Sequence, residues 1–473
     1  MSDDLIRLTA SDAVSLLSRR EITPLELIDA AERRTEAVDG AVNALPIRFF
    51  EAAREKAAAL PEAPAASRAW LGGLPIVVKD LSNVAGQRTT MGGSGLFADN
   101  VAAASSHDVA RLEGNGALAV AKATSPEFGF NATTCSELFG YTRNPWNTAR
   151  STAGSSGGSA AALATGMAWL ATGSDLGASI RAPAGFCGVV GLRPSPGLVP
   201  RGPGSSPFNT LSVAGPMART VGDVALMLDA MVGHAPADPL SFPPPPDLFR
   251  EGLERDLPPL RAGLSVDLGI TRCHSEIAAS VRAAGAVFEG MGAQVAEDHP
   301  DFAGIVDAFY EVRGFGHVVG MGPLVDRARD RLTPEITWSV DTARALTPET
   351  IARGERTRAA VHARVAAWFA TRDLLLIPTA VVPPFPVEWT TVESCEGHAF
   401  ERYIDWIAIT FAISMVGLPA ISVPCGFTSE GLPIGLQIIG PPRGEHAVLR
   451  AAAAFERALA LGPITPLDPR AGL

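Results

Sequence analysis

The sequence predicts a mixed α/β fold in which one central sheet is covered by helices on both faces. Along its 473 residues, short runs that are apolar throughout alternate with stretches of helical periodicity. Such runs are typical of strands buried on both faces of a sheet. Hydrophobic residues make up 47% of the chain and charged residues 19%, so the chain can bury a large core. No segment repeats at a fixed period.

Helical periodicity dominates the first 60 residues. One helix is predicted over 9–17 with Ser11 as its N-cap, and a second begins at Thr23-Pro24, with proline in the first helical position. Two buried strands are predicted next, LPIVVKD at 74–80 and the run GALAVAKA that ends at residue 123. The Asn, Thr, Gly, Pro and Trp residues between 128 and 153 predict a loop.

The segment 151–197 is the least ordinary stretch. It runs from a Gly/Ser loop to an Ala-rich helix, a short apolar segment, a second Gly/Ser turn and the apolar run 188–192. Gly215-Pro216 leads into another helix, and the proline tract 242–246 indicates a linker or surface excursion. The remaining predictions are strands over 260–269, 374–377, 420–423 and 435–439, mostly helix over 275–370 with strand-like Val295, a helix over 401–415 and a last helix from Glu445.

Composition disfavours several classes of partner. The net charge is −11 and no basic run occurs, which weakens any role in binding nucleic acid or an anionic membrane. The longest apolar stretch, 160–173, is shorter than the roughly 20 residues that a membrane-spanning helix needs. Because the acidic start lacks a signal-peptide pattern, a cytoplasmic location is expected. Five dispersed cysteines and eight scattered histidines predict reduced thiols and no metal site.

Lysine is scarce in this chain. Lys56, Lys79 and Lys122 are the three lysines among 39 basic residues, as if arginine replaces lysine wherever either serves. Lys79 ends a predicted buried strand, where desolvation would lower its pKa and yield a neutral amine that can act as a base. The alternative is a lysine on an edge strand, or one paired with Asp80.

Several familiar motifs do not fit. Residues 154–158 satisfy G-x-S-x-G, but the nucleophile elbow of α/β hydrolases follows a buried strand, and 144–153 is polar. No lysine has serine three residues before it, as a β-lactamase-like site requires, and the Ser/Gly loop lacks the lysine of a phosphate-binding loop. A Ser/His/Asp triad assembled from distant residues stays open.

The second Gly/Ser turn has the composition of an oxyanion hole. Small residues between Ser174 and Ser179 leave consecutive backbone N–H groups free to point at one spot beside a hydroxyl. The alternative is an ordinary turn in which Asp175 and Arg181 pair. A candidate base, two serines and a donor-rich turn together indicate acyl transfer without histidine.

These residues resemble the amidase signature family. The similarity is carried by AGSSGGSAAALATGMAWLATGSDLGASIRAPAGFCGVVGLRPSPG (153–197) and, in family order, by LPIVVKD, TSPEFGFN, GYTRNPWN, GPMARTVGD, IPTAVVPPFP and GLPAISVPCGFTSEGLPIGLQIIG. It implies the amidase signature fold, a single domain over 1–473. The expected parts are N-terminal helices (1–60), the signature core (70–232), a variable helical segment (234–370) and the C-terminal part of the core (371–473).

The resemblance also implies roles for individual residues. Lys79 corresponds to the catalytic lysine, Ser155 to a bridging serine that follows a cis peptide bond, and Ser179 to the acylated nucleophile. The expected oxyanion hole consists of the backbone of Leu176, Gly177, Ala178 and Ser179. Positions expected to hold the two turns are Gly154, Ser156, Asp175 and Arg181. No metal or organic cofactor is implied.

Three positions depart from the family pattern: Ala153 and Ala178 stand where glycine is common, and Ser414 where asparagine is common. The methyl group of Ala178 would restrict φ and narrow the acyl pocket. The pocket itself is expected from the variable segments 128–141, 305–345 and 378–400, with the aromatic residues Phe309, Tyr310, Phe315 and Trp338 as candidates.

The implied function is hydrolysis of small amides, with apolar or aryl groups favoured and some esterase activity. Carbamates (urethanes) and cyclic or oligomeric, nylon-type amides are alternative substrates. A less favoured alternative is the amidotransferase subunit that acts on misacylated tRNA, and a degenerate binding protein is the non-enzymatic one. The expected partner is a small molecule, and the expected state is a monomer or homodimer.

Overall fold

The computed structural model describes residues 2–63, 67, 69–202, 206–459 and 461–471. The helices in these ranges are α1 (Ser2–Arg7), α2 (Ala10–Ser18), α3 (Pro24–Val42), α4 (Phe50–Ala58), α5 (His107–Gly114), α6 (Gly157–Ala164), α7 (Arg181–Cys187), α8 (Val221–Met231), α9 (Ser275–Gly290), α10 (Ile305–Ala328), α11 (Pro334–Arg344), α12 (Pro348–Phe369), α13 (Ala408–Met415) and α14 (Glu445–Leu459).

The strands in the same ranges are β1 (Ile47–Arg48), β2 (Pro75–Lys79), β3 (Leu118–Ala123), β4 (Cys135–Ser136), β5 (Gly140–Tyr141), β6 (Arg143–Asn144), β7 (Asn147–Ser151), β8 (Leu170–Asp175), β9 (Val190–Arg193), β10 (Val213–Ala218), β11 (Arg261–Leu264), β12 (Gln294–Glu297), β13 (Leu374–Pro378), β14 (Ser394–Cys395), β15 (His398–Ala399), β16 (Ala420–Phe427) and β17 (Pro433–Ile439).

A mixed sheet of eleven strands organises the molecule, in the order β1-β3-β2-β8-β10-β9-β16-β17-β13-β11-β12. β3, β2 and β8 run parallel to one another, as do β13, β11 and β12, while the strands between these two groups pair antiparallel. Every residue of β2, β3, β13 and β17 is buried. Because successive side chains on a strand point to opposite faces, both faces of the sheet are covered, which confirms the predicted fold.

The first predicted helix is present as α2, but its N-cap differs from the expected one. Its N-cap is Thr9, whose Oγ1 accepts a hydrogen bond from the backbone N–H of Asp12 at 3.0 Å. Ser11 is therefore wrong as the cap, and its hydroxyl donates to Asp223 on α8 instead. The second predicted helix is confirmed at Pro24, with Thr23 and Glu26 forming a capping box.

Other element boundaries also differ from expectation. The predicted loop over 128–153 contains the short strands β4 to β7. The helix expected after Gly215-Pro216 is present as α8, but this pair itself lies inside β10, an interior strand that was not predicted. A Gly-Pro pair obscures the apolar pattern of a strand in the sequence. The predicted strand over 260–269 is shortened to β11, and the helix over 401–415 is regular only along α13. No helix of the described ranges has the length and apolarity to cross a bilayer.

Candidate active site

Lys79 lies at the end of an interior strand. It is the last residue of β2, which is flanked by β3 and β8, and it is fully buried. Its Nζ donates hydrogen bonds to three hydroxyls, Ser155 Oγ at 2.7 Å, Ser156 Oγ at 2.9 Å and Ser174 Oγ at 3.0 Å. The interpretation of Lys79 as an edge-strand lysine is therefore wrong.

Pairing between Lys79 and Asp80 is also not observed. The carboxylate of Asp80 lies beside Lys122, 3.7 Å from its Nζ, and accepts a hydrogen bond from the N–H of Thr90 at 3.0 Å. Burial lowers the pKa of Lys79 to about 7, against the opposing charge of Asp175. An amine with this pKa is partly neutral at physiological pH and can accept a proton.

The loop that carries Ser155 and Ser156 packs directly against the second Gly/Ser turn. The Gly154–Ser155 peptide bond is cis, and a Cβ added to Gly154 would lie 2.8 Å from the carbonyl oxygen of Thr133. The N–H of Ser156 donates to the carbonyl of Ser179 at 3.0 Å. β7 precedes this loop but pairs with β6 outside the main sheet, which does not match the strand of a nucleophile elbow.

Ala153, which stands where glycine is common in the family, adopts a backbone conformation that favours glycine. Ala153 has φ of +56°, in the left-handed region that glycine adopts most readily. Ala178, in contrast, lies outside that region, so its methyl group adds no backbone strain. The expected restriction of φ at Ala178 therefore does not strain the backbone, and Ala178 is one of the residues that line the cavity.

The turn after β8 presents free backbone donors. The N–H groups of residues 176–179 have no acceptor among the described residues, whereas that of Ile180 donates to Asp175 Oδ2 at 3.1 Å. All four residues of 176–179 line one cavity. Ser179 is half-buried there, and its hydroxyl makes no hydrogen bond within the described ranges. The arrangement can hold a developing oxyanion beside a hydroxyl.

Asp175 and Arg181 pair beneath this turn. Arg181 Nη2 lies 2.8 Å from Asp175 Oδ1 and also donates to the carbonyl of Gly177 at 2.9 Å. Burial alone would raise the pKa of Asp175, but the guanidiniums of Arg181 and Arg193 hold it well below its usual range. The pairing that sequence reasoning treated as the alternative to an oxyanion hole therefore coexists with free N–H groups in the same turn.

Two supporting residues escaped sequence reasoning or had no explanation there. Arg193, at the end of β9, donates through Nη1 to the carbonyl of Asp175 at 2.6 Å and is fully buried. The charge at the end of an apolar strand was its only signal in the sequence. Ser414 Oγ accepts from Arg181 Nη2 at 2.7 Å and lies 3.3 Å from the carbonyl of Gly177. Ser414 thus ties α13 to the turn.

The cavity has a volume of about 420 Å³, and its walls come partly from the expected segments. Residues 128–132 and Phe309 line it. Phe315 and Trp338 are wrong as pocket candidates, because 54% and 53% of their surfaces are exposed, and Tyr310 donates to Asp405 instead of lining the cavity. Among the described residues, 378–400 contribute nothing to the lining. Arg313 and His317 also line the cavity from within the expected segment 305–345. Lining residues outside the expected segments include Asp108, Arg201, Tyr403, Ile404 and Ile407.

One histidine lines the cavity. The Nδ1 of His317 is 2.6 Å from Ser339 Oγ, and within the described ranges its ring has no hydrogen bond with Ser155 or Ser179. In the described part of the chain, no group of three or more His, Cys, Asp or Glu side chains is arranged to hold a metal ion.

Known proteins share both the sequence and the fold. The sequence profile of the Amidase family matches residues 26–449. An acylamidase of Rhodococcus erythropolis is 34% identical over 455 residues, which cover 95% of both chains. A glutamyl-tRNA(Gln) amidotransferase subunit of Moorella thermoacetica is 35% identical over 488 residues, covering 96% of this chain and 97% of the relative.

A solved structure agrees with these relatives. A bacterial aryl acylamidase of the amidase signature enzymes superposes with a TM-score of 0.88 at 28% identity, over 97% of this chain and 96% of that one. Fold and relatives together define an α/β enzyme that hydrolyses amides. The chain belongs to the amidase signature family.

Proposed function

We propose that this enzyme cleaves the C–N bond of small amides through an acyl-enzyme on Ser179, with Lys79 as the base and Ser155 as the proton relay. The hydrogen bond between Lys79 Nζ and Ser155 Oγ, at 2.7 Å, carries the proposal. It joins an amine whose pKa is about 7 to a hydroxyl that lines the same cavity as Ser179.

The proposed reaction begins with neutral Lys79. It takes the proton of Ser155, which takes the proton of Ser179 as that hydroxyl attacks the carbonyl carbon. The N–H groups of residues 176–179 hold the oxyanion, and one such donor contributes about 3 kcal/mol in the transition state. Ser155 then protonates the leaving amine as the C–N bond breaks. Water repeats the cycle and releases the acid.

Support for the substrate class comes from the relatives and from the cavity. Both acylamidases act on acyl amides by name, and Phe128, Phe130, Phe309 and Tyr403 give the cavity aromatic walls. We propose aryl or apolar acyl amides as the preferred substrates. Esters, carbamates and cyclic or oligomeric amides present the same carbonyl to Ser179 and remain alternative substrates.

One specific observation favours a second function. The amidotransferase subunit of Moorella thermoacetica matches this chain as well as the acylamidase does, so ammonia release from glutamine for a tRNA-dependent transfer is the second candidate. Against it stand the net charge of −11 and the scarcity of lysine, since tRNA is bound through its phosphates. Glutaminase activity well above anilide hydrolysis, with co-purifying partner subunits, would favour this candidate.

The test combines turnover with covalent labelling. Wild-type enzyme should hydrolyse acetanilides, and a fluorophosphonate should label Ser179 in a peptide mass map. Ser179→Ala should lose both reactions and keep its unfolding temperature. Ser429→Ala, at an exposed serine, is the matched control. Near wild-type anilide hydrolysis by Ser179→Ala, or a label on another residue, would contradict the proposal.

A further inference from the structure

The charged groups in the cavity wall are unequally paired. Asp108, Arg201 and Arg313 line the cavity. Asp108 and Asp238 both interact electrostatically with Arg201, whose backbone N–H donates to Asp238 Oδ2 at 2.8 Å. Arg201 forms no ion pair in the described ranges, but these two carboxylates act on it electrostatically. Arg313 forms no ion pair with any carboxylate in these ranges either.

The acidic residues around Arg313 are already engaged. Glu311 pairs with Arg353, and Asp307 pairs with Arg402. The carboxylate of Asp405 accepts the hydroxyl of Tyr310 at 2.9 Å and the N–H of Arg402 at 3.0 Å. None of these carboxylates neutralises Arg313, which therefore contributes an uncompensated positive charge to the cavity.

Two aromatic rings hold the Arg313 guanidinium in place. Its Cζ lies 5.6 Å from the ring centroid of Phe309, one helical turn earlier on α10, and 5.6 Å from that of Tyr403. Its Nη2 donates to Tyr403 Oη at 2.6 Å. Of the five N–H donors of an arginine, this is the one that has a partner in the described part of the chain.

The same rings connect Arg313 to the candidate oxyanion hole. Phe309 stacks on Phe411 with ring centroids 4.0 Å apart. A Cβ added to Gly177 would lie 3.6 Å from Phe309 Cζ, so one ring separates Arg313 from the turn that would hold the scissile carbonyl. A substrate group a few bonds from that carbonyl can reach the guanidinium.

We infer that Arg313 recognises an anion, and that among the aryl and otherwise largely apolar amides proposed above the preferred ones carry a carboxylate a few bonds from the scissile carbonyl. The inference rests on the proposed function. A guanidinium presents a planar fork that matches a carboxylate with two parallel hydrogen bonds, and a partly buried charge gains most from an opposite charge. Because the whole chain is acidic, this preference is local to the cavity and not an effect of long-range attraction.

Paired substrates test this inference. One pair varies the acyl part, glutaryl 4-nitroanilide against 5-methylhexanoyl 4-nitroanilide. The other varies the amine part, 4-acetamidobenzoate against 4-acetamidotoluene. Wild-type enzyme should show at least tenfold higher kcat/KM for the anionic member of one pair, mainly through a lower KM.

For each variant we compare kcat/KM for the anionic substrate with kcat/KM for its neutral partner. This ratio does not depend on the fraction of active enzyme. Arg313→Gln should lower the ratio at least tenfold, and Arg313→Lys should give an intermediate ratio because it keeps the charge but not the fork. Arg327→Gln, an exposed arginine on the same helix, should keep the wild-type ratio. A wild-type ratio near one in both pairs, or a ratio unchanged in Arg313→Gln, would overturn the inference.

Two further measurements cover the case in which Arg313→Gln does not fold and the case in which the proposed function itself is wrong. If Arg313→Gln does not fold, inhibition of wild-type enzyme decides. Terephthalate should then inhibit at least tenfold more strongly than 4-methylbenzoate, which lacks the second carboxylate, and equal inhibition would overturn the inference. If Ser179→Ala hydrolyses every substrate as wild type does, the proposed function fails, whatever the ratio is.

Discussion

Two buried lysines on adjacent parallel strands have opposite surroundings. Lys79 ends β2, and Lys122 lies on β3 opposite Val78. Lys122 is 3.7 Å from the carboxylate of Asp80, whereas the hydrogen-bonding groups around Lys79 Nζ are serine oxygens. Lys122 Nζ also donates to Thr89 Oγ1 at 3.1 Å and to the carbonyl of Ser82. The difference between the two amines is therefore the carboxylate, which lies beside Lys122 and not within hydrogen-bonding distance of Lys79.

The pKa values of the two lysines differ less than their capacity to take part in proton transfer. Burial lowers the pKa of Lys122 to about 8, opposed by Asp80 and Asp108, and lowers that of Lys79 to about 7. Burial alone therefore does not single out a base. What distinguishes Lys79 is that its hydroxyl partner Ser155 lines the cavity, whereas the hydroxyl partner of Lys122, Thr89, does not. Lys122 has the surroundings of a structural ion pair.

The largest expected effect separates the two lysines by activity. Lys79→Met should lower kcat for anilide hydrolysis by at least ~10³-fold, because the proposed base is lost. Lys122→Met should leave the folded enzyme within about tenfold of wild type, because Lys122 lies outside the proposed proton path. Steady-state kinetics on both variants checks this, and a folded Lys122→Met variant as inactive as Lys79→Met would remove the distinction.

Stability should show the reverse order. Lys122→Met leaves the buried Asp80 carboxylate without its cation, which costs about 3–5 kcal/mol in the free energy of unfolding. Lys79→Met removes an amine that has no carboxylate in hydrogen-bonding contact, so its cost should be much smaller. Urea unfolding measures both, and Lys122→Met combined with Asp80→Asn should recover part of the loss. No recovery would contradict an ion pair between these two residues.

The sequence was informative where chemistry is local. The run LPIVVK predicts a buried strand ending in Lys79, and the small residues before Ser179 predict the donor-rich turn. Lysine scarcity was only partly informative, because Lys56 is an exposed lysine that pairs with Glu113, where arginine would serve equally well. The individual roles expected of Lys79, Ser155 and Ser179 came from the family resemblance rather than from composition.

The rest of the site depends on distant contacts. Arg181 and Ser414 are 233 residues apart and meet through one hydrogen bond, which no local pattern signals. The aromatic residues of α10 and α11 share helical spacing, yet Phe309 is buried and Trp338 is exposed, because spacing does not say which face packs. Arg313 lies in the expected segment 305–345, but no local pattern singled it out, because the ion pairs that engage the neighbouring carboxylates form only in the folded structure.

The pH dependence of kcat/KM distinguishes the lysines again. Because only the deprotonated amine accepts a proton, the rate should rise about tenfold per pH unit below the Lys79 pKa of about 7 and level off above it. The same rise should persist in Lys122→Met. In the wild type the pKa of Lys122 is about 8, so this variant shows whether Lys122 contributes to the profile. Rates measured from pH 5 to 9 check this. A flat profile below pH 7, or a rise lost in Lys122→Met, would contradict Lys79 as the base.

The smallest expected effect concerns Ser414, which supports the turn from beneath. Ser414→Ala removes one of several partners of Arg181, since Nη2 keeps Asp175 and the Gly177 carbonyl. We expect a cost of about 1 kcal/mol, typical of one hydrogen bond, and a fall of a few fold in kcat with little change in KM, because the turn is the proposed oxyanion hole and would act on the transition state. Ser414→Asn, the residue common in the family, should keep more of kcat than Ser414→Ala. A loss comparable with that of Lys79→Met would mean that the turn depends on Ser414 as strictly as the proton path depends on Lys79.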